Sequence, residues 1–95
     1  MNASSKKKLA QYERLAGTLR DRIAAGIYTR GDKLPSEMEL MDESGLSRST
    51  VRHALKVLVD EGLVRTERTA GRYVTEDRAL IEQLRAEAAR NLTAE

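Results

Sequence analysis

The sequence predicts a mainly α-helical fold carrying one small β wing, and three patterns predict it. Two neighbouring helical stripes begin with their own capping residues, at Ser36 and Ser47. A hairpin pattern follows Gly62, and the only aromatic residues are Tyr12, Tyr28 and Tyr73, so the core is aliphatic and helical in style. At 95 residues the chain is one small domain with a thin core, which disfavours an enzyme with a deep pocket.

Residues 1–8 hold Lys6, Lys7 and Lys8 without apolar partners and read as a disordered basic arm. From about Leu9 the positions Tyr12, Leu15, Ala16, Leu19 and Ile23 repeat at helical spacing, and Gly26 supplies a stop signal. Gly31-Asp32 marks a turn, Lys33-Leu34 forms a short extended piece, and Pro35 holds the residue before it away from helical angles. Ser36 then opens a brief helix with Glu39 three residues on, the capping-box spacing, and Gly45 ends it.

Ser47 caps the next helix. Its apolar positions Val51, Ala54, Leu55, Leu58 and Val59 make one buried stripe, while Arg48, Ser49, Arg52, His53 and Lys56 make an outer face with no carboxylate before Asp60. Arginines with two parallel donors and short hydroxyls suit a DNA groove, where base edges and phosphate oxygens accept. Two short helices joined through a glycine form a helix-turn-helix pattern. The segments Leu63 to Glu67 and Arg72 to Thr75, around Thr69-Ala70-Gly71, read as a two-stranded wing. From Arg78 a last helix presents Leu80, Ile81, Leu84, Ala88 and Leu92, a stripe expected to pack on the first helix, on a second subunit, or on both.

The net charge of +2 conceals segregation: residues 1–33 carry +5, residues 34–46 carry −4 and residues 47–59 carry +3. Basic segments can share one surface while acidic ones face away, a pattern that fits a nucleic-acid binder and also fits ordinary solvated helices. Zero cysteines exclude disulfides and thiolate chemistry, and the single histidine, His53, cannot form a multi-histidine metal site; no cofactor or metal is expected. No catalytic motif is present, no apolar run approaches membrane-spanning length, and no stretch resembles a signal peptide, so the expected setting is cytoplasmic.

The run Gly31-Asp32-Lys33-Leu34-Pro35-Ser36-Glu37, then Ser47-Arg48-Ser49-Thr50-Val51-Arg52, Glu61-Gly62-Leu63-Val64 and Gly71-Arg72-Tyr73-Val74, resembles the GntR family of bacterial transcription regulators. The match covers roughly residues 9–75, leaving residues 76–95 as a C-terminal helix for dimerisation or linkage. The short tail looks like that of the YtrA-type branch or of a trimmed DNA-binding domain. The resemblance implies a winged helix-turn-helix that binds an inverted-repeat operator as a homodimer, with repression the expected role and any small-molecule effector unassigned.

By the resemblance, Arg48 and Arg52 contact bases or nearby phosphates, Ser49 and Thr50 reach the backbone, the helix start at Ser36 presents amides to a phosphate, and Gly71 lets the wing approach the minor groove. Lys56 on the basic face and Arg72 on the wing complete the expected DNA-binding set. Two departures stand out: Met38 occupies a position where many members carry a base-contacting arginine, and Arg72 stands where a small residue is common. Two other readings stay open, a winged-helix module that docks an acidic protein partner, and one half of a larger effector-sensing regulator.

Overall fold

The computed structural model describes residues 3–67 and 71–93 as four helices and a two-stranded antiparallel sheet. The order is α1 (Ala3–Ala24), α2 (Glu37–Ser44), α3 (Arg48–Asp60), β1 (Val64–Glu67), β2 (Gly71–Val74) and α4 (Arg78–Thr93). This is a winged helix-turn-helix with a helix appended, as the sequence predicts. One expectation fails at the start. The stretch read as a separate disordered arm is taken into α1 from Ala3. Ala, Ser, Lys and Leu include no helix breaker, and extending a helix already nucleated by its packed half avoids the cost of starting one.

The α1 stripe supplies Leu15, Ala16, Leu19 and Ile23 to a single aliphatic core. Against it lie Leu40 of α2, the α3 stripe of Val51, Ala54, Leu55 and Leu58, and Ile81 and Leu84 of α4. Thus α4 packs on α1, one of the arrangements expected of its stripe. Asp77 starts α4 by accepting the Leu80 amide at 3.2 Å. Two ion pairs pin α1 to the reading unit. Arg20 donates through Nε and Nη2 to both carboxylate oxygens of Glu61, at 3.0 and 2.8 Å, and Arg22 forks onto Glu43 while also donating to the Tyr28 hydroxyl at 2.9 Å.

Both caps form as the spacing predicts. Ser36 Oγ accepts the Glu39 amide at 3.1 Å while the Glu39 carboxylate accepts the Ser36 amide at 2.8 Å, closing the capping box. Gly45, at φ 74°, turns the chain sharply from α2 into the Ser47 cap; a side chain there would be strained in this left-handed conformation. At the far end of α3, Gly62 at φ 83° lets the Leu63 amide return to the Leu58 carbonyl at 3.0 Å, and the chain leaves directly into β1.

The wing pairs Val64 with Val74, Arg65 with Tyr73, Thr66 with Arg72 and Glu67 with Gly71. Alternation along a strand therefore puts Arg72 on the same face as the buried Val74, leaning towards α2 and α3, and Tyr73 on the other face, where the Arg65 guanidinium lies 5.2 Å from its ring centre. The extended piece at Lys33-Leu34 has a role the sequence does not disclose. It lies along the second edge of β2, with the Leu34 amide donating to the Arg72 carbonyl at 2.8 Å and the Val74 amide to the Asp32 carbonyl at 2.8 Å. The strand that carries Arg72 is held on both sides, which fixes it relative to α2. The expected turn residues Thr69 and Ala70 lie outside the described residues, and Gly71 opens β2.

Candidate nucleic-acid interface

Because α3 buries one stripe completely, its opposite face is presented rigidly to solvent. Ser47 sets the start of that face: its Oγ accepts the Thr50 amide at 3.2 Å and fixes where the first turn begins. Arg48, Ser49, Arg52, His53 and Lys56 are all exposed on it. Between this helix and the wing runs an open groove of about 450 Å³ lined by Arg52, Lys56, Val59, Asp60, Thr66 and Arg72. Three cations from two elements thus converge on one concave strip, the charge pattern that attracts a phosphate backbone.

The strip contains one carboxylate that charge counting sends elsewhere. Glu37, in the first turn of α2, is half-buried, and its Oε2 accepts Arg52 Nε at 3.0 Å and Arg72 Nη2 at 3.1 Å. Its Oε1 lies 3.9 Å from Arg48 Nε. Burial pushes the Glu37 carboxyl upward, but the hydrogen bonds and charges of Arg52 and Arg72 outweigh it and hold the group below its ordinary value. The segregation reading, in which the acidic stretch at residues 34–46 faces away, is therefore corrected at this residue. Partners fifteen and thirty-five residues distant leave no periodic signal; only the tertiary arrangement of α2, α3 and β2 brings them together.

Apart from Thr50, the expected DNA-binding residues sort into three groups. Arg48, Arg52 and Arg72 meet around Glu37, and Lys56 stands beside them, exposed and paired with Asp60 one turn on at 3.0 Å. An exposed pair of that kind is weak and readily exchanged for a phosphate. Ser49 and Gly71 are exposed at the two ends of the surface, and the methylene chain of Lys33 covers Gly71 so closely that an added Cβ would lie 3.3 Å from Lys33 Cε. Ser36 is exposed, but the capping box already uses its amide and that of Glu39, leaving the Glu37 and Met38 amides of that helix end for an anion.

Thr50 is a correction. It is only 5% exposed, and its hydroxyl is engaged with Ser47 Oγ at 2.9 Å, so it supports the cap and does not reach outward. The reason is helical geometry: Thr50 lies four residues before Ala54 and therefore on the buried stripe. His53, which the sequence places on the outer face of α3 as a surface residue or a marginal phosphate contact, stacks on Tyr12 of α1 with ring centres 3.7 Å apart and planes 9° apart. That stack ties α1 to the edge of the basic face.

Residues 11–74 match the family described as bacterial regulatory proteins, gntR family. The mannosyl-D-glycerate transport/metabolism system repressor MngR of Escherichia coli K12 is 42% identical over 67 residues, which is 70% of this chain and 28% of that protein. A GntR family transcriptional regulator from Listeria monocytogenes superposes with a TM-score of 0.81 at 34% identity, over 87% of this chain and 73% of the other. AraR(DBD) in complex with operator ORR3 superposes with a TM-score of 0.67 at 32% identity, over 68% of this chain and 78% of the other. The chain spans about a quarter of the length of the curated relatives it matches. With the family pattern running from α1 through the wing, on a winged helix-turn-helix scaffold, the chain belongs to the gntR family of bacterial regulatory proteins.

Proposed function

We propose that this chain is the DNA-reading domain of a cytoplasmic transcription repressor that binds an inverted-repeat operator as a homodimer. The observation that carries the reading is the convergence of Arg48, Arg52 and Lys56 of α3 with Arg72 of β2 on one exposed strip beside the wing. In this reading α3 enters the major groove, the wing lies against the adjacent minor groove or backbone, phosphate neutralisation supplies most of the affinity, and Arg48 and Arg52 choose the sequence. Likeness to an AraR domain in complex with its operator supports the DNA partner, and likeness to a protein named as a repressor supports the direction of regulation. Residues 9–75 form the reading domain, and α4 joins it to its second copy or to a further segment.

No helix among the described residues is long and apolar enough to cross a membrane. Selection of bound duplexes from a random pool tests the proposal. The expected result is a palindrome with half-sites about one helical turn apart, or a multiple of it. Absence of binding at low salt would overturn DNA reading in favour of a protein-docking role, and a single asymmetric site would overturn the dimer.

A further inference from the structure

We propose that Glu37 is the residue that makes this interface selective, by positioning Arg52 for a base edge while opposing the capture of Arg52 and Arg72 by arbitrary phosphates. The inference rests on the DNA-reading function proposed above and goes beyond its cationic residues. Arg52 reaches Glu37 through Nε alone, at 3.0 Å, and its side chain is still 64% exposed. Among the described residues both terminal nitrogens therefore stay available as a parallel pair of donors, the arrangement that matches O6 and N7 of guanine. A guanidinium steadied at Nε loses less freedom when it meets that edge than one on an unrestrained four-bond stem.

The same carboxylate discriminates by charge. Glu37 is only 18% exposed and faces Arg48, Arg52 and Arg72 together, so its negative charge sits inside the cationic cluster. A phosphate drawn to those arginines must approach that charge, whereas a guanine edge offers neutral acceptors and meets much less repulsion. The carboxylate thus lowers attraction to DNA in general more than attraction to the right base. By receiving Arg72 at 3.1 Å through the same oxygen, it also couples the wing to the reading helix.

The test compares the wild-type chain with Glu37→Gln and Glu37→Asp on the duplex selected by the wild type and on random duplex, across a range of salt. Thermal unfolding of each variant checks that the fold is kept. Glu37→Gln retains an acceptor of the same shape without charge. It is expected to bind random duplex several-fold tighter, with a salt slope steeper by about 0.9 for each arginine released to a phosphate. Its preference for the selected duplex should fall roughly tenfold. Glu37→Asp, which keeps the charge, should hold random-duplex binding near the wild-type level. If Glu37→Gln leaves both affinities and the salt slope unchanged, or weakens both duplexes equally, the selective role of Glu37 is overturned while DNA reading stands. A wild-type chain that selects no duplex would overturn the DNA-reading function and this inference with it.

Discussion

Arginines are used in two ways on opposite flanks of this small fold. On α1, Arg20 and Arg22 each own a carboxylate, Glu61 and Glu43, and each pair bridges two elements. On the other flank Arg48, Arg52 and Arg72 share one carboxylate among the described residues, Glu37. One-to-one pairing cancels charge and holds elements in place. Three-to-one pairing orients side chains while leaving a net positive surface for a polyanion. A net charge of only +2 is compatible with DNA binding because of this difference.

The largest expected effect strikes the platform that both flanks share. Leu55 is fully buried on the inner face of α3, and Leu55→Ala should cost about 2–5 kcal/mol of stability in denaturant unfolding. Binding should weaken with it, since both flanks lose their common support. Arg52→Ala separates them: affinity for the selected duplex should fall by about 1–3 kcal/mol, with relaxed preference at one base position in a gel-shift series. Its unfolding free energy should stay within about 0.5 kcal/mol of wild type. Ser47→Ala removes the cap that starts the reading helix and should cost about 0.5–2 kcal/mol of stability.

Arg20→Ala is the mirror of Arg52→Ala. It should lower stability by about 0.2–1 kcal/mol, because the pair is partly exposed, and leave the base preference unchanged.

Acid offers the finest distinction. The hydrogen bond from Arg22 holds the Glu43 carboxyl below its ordinary value of 4.5, despite some burial. A group whose folded value is depressed contributes stability above its unfolded value and loses it as pH falls through the folded one. The advantage of wild type over Glu43→Gln in thermal unfolding should therefore be full above pH 4.5 and shrink below it.

Local signals were legible in the sequence wherever neighbours along the chain decide the outcome. Ser36 with Glu39, Ser47 at the head of its stripe, and Gly26 and Gly45 as stops all mark element ends by short-range hydrogen bonding, and the elements end there. The outer face of α3 was legible for the same reason. What stayed hidden depends on contacts between distant segments: Glu37 with Arg52 and Arg72, Tyr12 on His53, and Lys33-Leu34 along β2. Thr50 lay between these cases. Its spacing from Ala54 marks it as inward, but its hydroxyl suggests an outward contact, and helical geometry prevails.

If the shared-carboxylate flank meets DNA and the paired flank does not, the two flanks respond differently to a bound duplex. NMR titration of the isotopically labelled chain with its selected duplex tests this directly. The largest changes are expected on Arg48, Ser49, Arg52, Lys56 and Arg72, with Arg20 and Arg22 little affected. Changes centred on Arg20 and Arg22, or a uniform response across both flanks, would contradict it.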